Sequence, residues 1–99
     1  MNTHERIQDD LEQRLRQKYP KAHLERNVEW KVGDYQGEID LIVYLTNGWR
    51  HWYEVKSNHT HRASHKAMEQ AHRFRGTHGG KYKFVYYTPT RVRRLRPEE

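Results

Sequence analysis

The chain has 99 residues, the length of one domain (residues 1–99), and only 33% of them are hydrophobic, so its core must be small. Nineteen lysines and arginines against thirteen acidic residues give a net charge of +6, which favours a polyanionic partner without identifying it. The absence of cysteine excludes disulfides and thiolate metal sites, and no apolar run is long enough to span a membrane, so we expect a soluble, cytoplasmic protein.

The first predicted element is a helix from Thr3 to Tyr19. Apolar residues recur at every fourth position and form one stripe along this helix. They are Ile7, Leu11 and Leu15. Thr3 is the predicted N-cap, and Pro20 ends the helix because it cannot continue the helical hydrogen bonding.

A strand is predicted next, from His23 to Val32, because apolar residues occupy alternating positions and the opposite face is charged. The apolar positions are Leu24, Val28, Trp30 and Val32. Gly33 and Gly37 bracket the predicted turn that follows, through Asp34 and Tyr35.

The next two strands are predicted to form a hairpin, Glu38–Thr46 and Trp49–Lys56, about a turn at Asn47-Gly48. Asn-Gly between two β-rich segments is a strong hairpin signal. The first arm is almost entirely apolar after Asp40, so we expect an inner strand with both faces covered.

Pairing the two arms sets Asp40 opposite Lys56, or opposite Tyr53 and Glu54, depending on the register. Glu54 and Lys56 share one face of the second arm and Val55 takes the other, because side chains alternate along a strand. The hairpin therefore brings Asp40, Glu54 and Lys56 together.

Two carboxylates and an amine in this arrangement suit divalent-metal chemistry, because Mg²⁺ takes oxygen ligands and is held by one or two carboxylates. The backbone carbonyl of Val55 could complete the site. Lys56 could orient or deprotonate an attacking water, or stabilise charge on a phosphate. A surface ion pair on an exposed sheet face is the alternative interpretation.

The remaining elements follow in order. The polar loop Ser57–His61 is expected to contact a phosphate or the junction of the substrate; zinc is not expected, because no His-x-x-x-His pair lies on a convincing predicted helix. A second helix is predicted from Arg62 to Arg75, with Gly76 as its C′ residue. A strand from Lys81 to Thr88 should run parallel to the second hairpin arm, since a right-handed crossover joins them. A basic tail ends the chain with Arg91, Arg93, Arg94 and Arg96.

Two segments, Gly37–Ile42 (Gly-Glu-Ile-Asp-Leu-Ile) and Tyr53–Ser57 (Tyr-Glu-Val-Lys-Ser), resemble the metal site of the PD-(D/E)xK nuclease superfamily. Within it they look most like the archaeal-type Holliday junction resolvases and their viral relatives. One departure is Ile39, which stands where the superfamily name has proline. The resemblance implies a restriction-endonuclease-like α/β core, with a mixed central sheet flanked by helices in the order α-β-β-β-α-β.

The resemblance also implies roles for individual residues. Asp40 and Glu54 would be metal ligands and Lys56 the catalytic lysine, with Mg²⁺ as cofactor and Mn²⁺ as a substitute. A metal-associated glutamate on the first helix is also implied, for which the candidates are Glu5 and Glu12, two turns apart on nearly the same face.

On the second helix the resemblance places Gln70 or Lys66 near the site, and ordinary polar surface is the alternative. The predicted DNA contacts, drawn from this helix and the start of the next strand, are Arg62, Lys66, Gln70, Arg73, Arg75 and Lys81.

The function that this resemblance implies is a metal-dependent, structure-selective DNA endonuclease that resolves four-way (Holliday) junctions as a homodimer. It would act in the cytoplasm or, if virus-encoded, in the host cell. Other nucleases of the superfamily (nicking, exonucleolytic or restriction-type) stay open as alternatives. So do a non-catalytic basic nucleic-acid-binding module and a subunit that needs a partner protein.

Overall fold

Five strands form one mixed sheet that carries a helix on each face. The structure is a computed structural model that describes residues 2–78 and 80–97. Its elements in chain order are α1 (Thr3–Lys18), β1 (His23–Val32), β2 (Tyr35–Tyr44), β3 (Arg50–Val55), α2 (His61–Thr77), β4 (Tyr82–Tyr87) and β5 (Val92–Leu95). This α/β arrangement contains the predicted order α-β-β-β-α-β and adds one strand at its end.

The strands lie across the sheet in chain order, β1-β2-β3-β4-β5. β3 and β4 are parallel, as predicted from the α2 crossover, and the other neighbouring pairs are antiparallel.

β5 corrects the sequence prediction of a basic tail after Pro89. A turn closes here because the Thr88 backbone N–H donates to the Arg91 carbonyl at 2.8 Å and the Arg91 N–H donates back to the Thr88 hydroxyl at 2.8 Å. Leu95 then packs in the core at 2% exposure. The sequence did not predict this strand, because a segment rich in arginine is typical of a solvated tail.

Each face of the sheet has its own apolar core. The core under α1 contains Ile7, Leu11, Leu15, Leu24, Leu41, Val43, Tyr53, Val55 and Val85. The core under α2 contains Trp30, Ile39, Ile42, Trp52, Ala67, Ala71, Phe74, Tyr82, Phe84, Tyr86 and Leu95. β2, predicted as an inner strand, contributes to both cores. β1, β3 and β4 also have residues in both cores, so the sheet as a whole joins the two helices.

The ribbon of β1 and β2 passes from one core to the other in the middle of its length. Residues two apart in a regular strand share a face, yet Leu41 packs under α1 and Ile39 under α2. The change occurs at Asp40, between the paired positions Arg26↔Leu41 and Val28↔Ile39. Asn27, between Arg26 and Val28 on the other arm, has φ 53°, a left-handed conformation that asparagine tolerates better than most residues. Asp40 thus sits where the ribbon changes face.

Several predicted boundaries shift by a few residues. Asn2, and not Thr3, caps α1, because its side chain accepts from the backbone N–H of Glu5. α2 runs through Gly76, which is not its C′ residue. The helix continues because the His78 ring stacks on Phe74, with centroids 4.1 Å apart, and the His78 N–H donates to the Phe74 carbonyl.

The turn between β1 and β2 is also tighter than predicted. Val32 pairs with Tyr35, which leaves only Gly33 and Asp34 in the turn, and Gly33 takes the positive φ of 59° that the turn requires. No helix in the described part of the chain is long and apolar enough to cross a membrane.

Candidate active site at the end of the central hairpin

The register of the central hairpin places Asp40 beside Glu54. The last paired positions are Leu41 and Tyr53, so the next position outward on each strand is one of the two acids. The loop between Leu45 and Trp49 has three residues and ends at Gly48, whose φ of 91° is typical of such loops. Of the two registers left open by the sequence, the structure has the one that joins the carboxylates.

Asp40 is a buried carboxylate, with 8% of its surface exposed. Its Oδ2 atom accepts a hydrogen bond from the backbone N–H of Val55 at 2.8 Å. Its Oδ1 atom lies 3.5 Å from Nε2 of His4. The side chain is thereby fixed across the end of the hairpin.

Glu54 is the second buried carboxyl, and Lys56 is its charge partner. Nζ of Lys56 lies 3.3 Å from Oε1 of Glu54. The other oxygen, Oε2, is buried without a hydrogen-bond partner. Burial, and then the charge of Asp40, raise the pKa of Glu54 to about 8, although Lys56 acts in the opposite direction. The two acids therefore lie too close together, and too far from water, for one lysine to compensate their charge.

Two side chains of α1 reach Asp40, and sequence reasoning missed both. His4 Nε2 lies 3.0 Å from the Val55 carbonyl oxygen as well as near Asp40. Gln8 is 1% exposed, and its Nε2 donates to the Asp40 carbonyl at 2.9 Å and to Oδ1 of Asn27 at 3.0 Å. A signal existed, because Gln8 precedes Leu11 by three residues and so lies on the inward stripe of the helix.

The glutamates chosen from the first helix pair with other groups. Glu5 accepts from the side chain of Asn2 at 3.3 Å. Glu12 pairs with Arg16 at 3.2 Å and lies 3.9 Å from Arg26. None of these contacts includes a residue of the hairpin end.

The predicted DNA contacts separate into solvent-facing and inward-facing groups. Arg62 and Lys66 are exposed near the start of α2, and Lys81 is exposed before β4. Gln70 is half-buried, with its Oε1 atom buried and unpartnered. Arg75 donates to the Gly80 carbonyl at 2.8 Å.

Arg73, the sixth predicted contact, lies over the Tyr35 ring with 5.7 Å to its centroid. Among the six, Arg62, Lys66, Arg73 and Lys81 are exposed, whereas Gln70 and Arg75 are half-buried.

The histidines near α2 need one correction. Because α2 begins at His61, this residue and His65 are four apart on one helix, a spacing that the predicted start at Arg62 excluded. His65 Nε2 lies 3.6 Å from Oε1 of Glu69. Within residues 2–78 and 80–97, however, no three His, Asp or Glu side chains are grouped so that they could hold a metal ion.

The oxygen atoms at the hairpin end fit a hard divalent cation. Asp40 and Glu54 supply carboxylates, and the Val55 carbonyl, a backbone group, is a third oxygen beside them. Burial, and then the charge of Asp40, raise the pKa of Glu54, and its Oε2 atom has no hydrogen-bond partner, so a cation bound here would favour the charged form of this carboxyl. This set matches the oxygen ligands of Mg²⁺, of which one or two are usually carboxylates.

Comparison of the chain with protein-family models, with characterised proteins and with solved structures finds no match.

Proposed function

We propose that this chain is a metal-dependent DNA endonuclease with a restriction-endonuclease-like core, and that its substrate is a four-way junction. The observation that carries the proposal is the hairpin end, where two buried carboxylates, Asp40 and Glu54, lie side by side and Lys56 contacts one of them. An ordinary surface ion pair would not bury two acids next to one lysine, because each desolvated charge is costly.

Each residue has a distinct role in this mechanism. Asp40, Glu54 and the Val55 carbonyl would hold the divalent ion, which supplies Lewis-acid activation of water and of the scissile phosphate. Lys56 lies at the border of the site, with 37% of its side chain exposed, so it can reach both the water and the phosphate. Its ammonium group would orient the nucleophile and stabilise the charge that develops on the phosphate oxygens.

The DNA would approach from the side of α2. Arg62 and Lys66 project from the first turns of this helix, a few residues after the end of β3. Phosphate contacts of this kind position a duplex without reading its sequence. They fit a nuclease that selects the shape of its substrate.

The test is a cleavage assay with a four-way junction, a linear duplex and a single strand, each with and without Mg²⁺ or Mn²⁺. We expect ion-dependent scission of the junction in preference to the other substrates. Asp40→Asn and Lys56→Ala should each lower the rate by about 10²–10³-fold or more, since each removes a charge used in the transition state. Glu29→Gln, on the exposed face of β1, is the matched control and should retain the wild-type rate.

Cleavage at the wild-type rate by Asp40→Asn would exclude the proposed chemistry. If the protein prefers the linear duplex or strand ends, the proposed metal-dependent chemistry would stand but the junction would not be its substrate. The protein would then be a nicking, restriction-type or exonucleolytic enzyme.

The second candidate is a non-catalytic nucleic-acid-binding module. The net charge of +6 and the Lys56–Glu54 ion pair favour it equally well. Such a module would bind the junction with no strand scission under any ion, and neutralising Asp40 would leave its affinity unchanged.

A further inference from the structure

A row of side chains crosses the sheet from the hairpin end to the opposite edge. Asp40 lies beside Glu54, and Glu54 pairs with Tyr86 on the parallel strand β4. Tyr86 in turn pairs with Arg93 on β5. Paired positions on neighbouring strands, about 4.8 Å apart, direct their side chains to the same face. Because Tyr86 packs in the core under α2, the side chains of Glu54 and Arg93 also lie on the α2 face.

His59, in the loop after β3, connects this row to the turn before β5. Its Nδ1 atom lies 3.2 Å from the hydroxyl oxygen of Tyr86, which is fully buried and fixes the ring in place. On the other side of the ring, Nη1 of Arg91 lies 3.5 Å from Nε2 of His59. A guanidinium group only donates, so Nε2 is the acceptor and Nδ1 carries the proton. The ring therefore places Arg91 one strand away from Glu54.

Positive charge collects around His59. Arg91 and Arg93 are exposed, and neither forms an ion pair with an acid in the part of the chain that the structure describes. The ring of His61 lies 6.2 Å from that of His59. Partial burial, and then the charge of Arg91, lower the pKa of His59. A bound anion would compensate this concentration of positive charge.

The two segments that carry these cations are held in place by hydrogen bonds. The hydroxyl of Thr88 accepts from the Arg91 backbone N–H at 2.8 Å and donates to the Arg91 carbonyl at 3.0 Å. Thr60 caps α2 directly after His59, because its hydroxyl accepts from the Ala63 N–H at 2.9 Å. Donors fixed in this way bind a ligand better than mobile ones, since less conformational freedom is lost on binding.

We propose that His59, Arg91 and Arg93 form a subsite for one phosphate of the DNA backbone, next to the phosphate that is cleaved at the hairpin end. Arginine suits this ligand because its planar guanidinium group donates two parallel hydrogen bonds to a phosphate. His59 is a positioning residue that orients Arg91. The inference rests on the proposed function, in that it specifies how the same site holds its substrate.

The experiment removes the charge of one DNA phosphate at a time. Each member of a series of four-way junctions carries a single neutral methylphosphonate, and binding by the full chain is measured in a chelator so that no strand is cut. At the phosphate held by the subsite, the methylphosphonate should weaken binding by wild type about tenfold. Arg91→Ala should weaken binding of the unmodified junction by a similar factor and show no further loss at that position.

Two further variants make the test specific. Arg94→Ala is the matched control, because Arg94 follows Arg93 on β5 but pairs with Val85, whose side chain packs on the α1 face. This variant should retain the loss caused by the methylphosphonate. Arg91→Lys should recover part of the affinity, since it retains the charge without the planar pair of donors. Circular dichroism verifies that each variant is folded.

The inference is overturned if Arg91→Ala shows the same losses as wild type at every methylphosphonate position, or if wild type does not bind the junction. If wild type cleaves the junction, an effect of Arg91→Ala confined to a phosphate several nucleotides from the cut would also overturn it. An effect at one position without any ion-dependent cleavage would support the subsite and remove only the proposed nuclease.

Discussion

Glu54 is a buried carboxyl group whose surroundings oppose its charge. Burial and Asp40 raise its pKa from the ordinary 4.5 to about 8. Between these two values the folded chain retains a proton that the unfolded chain has lost, so the free energy of unfolding falls as the pH rises. At pH 7, about 2.5 pH units above the ordinary pKa, this loss amounts to roughly 3 kcal/mol, at 1.36 kcal/mol for each pKa unit.

Glu54→Gln should therefore stabilise the metal-free protein and abolish cleavage. The gain in unfolding free energy should be small near pH 4.5, increase up to about pH 8 and then level off. Urea denaturation of wild type and variant in a chelator, at several pH values, measures it. Glu29→Gln serves as the control. A gain that is independent of pH would contradict the explanation.

At the scale of single residues, part of the site could be predicted and part could not. Asp40, Glu54 and Lys56 could be grouped from the sequence, since side-chain alternation and the Asn47-Gly48 turn constrain a hairpin strongly. The contacts of His4 could not, because they depend on how α1 is rotated and shifted over the sheet. That placement arises from packing of the whole apolar stripe.

At the scale of elements, α1 acts on the site through Gln8. This amide is the buried link between the helix and the Asp40 carbonyl, and it also accepts from Arg26 at 3.3 Å. Gln8→Leu should cost about 1–3 kcal/mol in unfolding free energy, because it leaves buried polar groups unpaired. Cleavage should also fall, since the backbone of Asp40 loses the hydrogen bond that Gln8 donates to it.

Thermal and urea denaturation measure this cost. Gln13→Leu, at an exposed position of the same helix, is the matched control and should change stability by no more than about 0.5 kcal/mol. Equal stability of the two variants would show that the Gln8 bonds contribute little.

α2 is the element predicted to contact DNA. The double variant Arg62→Ala, Lys66→Ala should weaken junction binding and flatten its salt dependence, by about one unit of slope for each phosphate that the protein no longer neutralises. Binding measured between 50 and about 200 mM salt gives the slope. Arg14→Ala, an exposed arginine on α1, is the control. An unchanged slope would place the DNA on another surface.

The elements themselves differ in how far the sequence determines them. The bounds of β1 agree with those predicted from its alternation of apolar residues, but these residues do not share one face, since Leu24 and Trp30 pack in opposite cores and Val32 is exposed. β5 was missed because a four-residue edge strand with two arginines shows no such alternation. The end of α2 was placed too early because the stacking of His78 on Phe74 outweighs the local preference of Gly76 to end a helix.

At the scale of the whole molecule, the proposed function predicts a dimer with two-fold symmetry. Resolution of a four-way junction needs two incisions related by a two-fold axis, which a symmetric dimer supplies. We expect the chain to sediment at twice its 12.2 kDa mass and to cut opposite strands of a junction in a paired manner. Analytical ultracentrifugation with and without the junction measures this. A monomer in both conditions would argue for independent nicking.

The crossing of the β1–β2 ribbon restricts where this chain can change in length. One additional residue between Asn27 and the tip, on a single arm, would shift the pairing and exchange the two faces of that arm. Inserting the same number of residues into both arms, between the crossing and the tip at Gly33, would preserve the pairing at Asp40. Peptide tags are therefore best inserted at the Gly33–Asp34 tip, whereas the paired segments, residues 40–44 and 50–54, should tolerate no change in residue number.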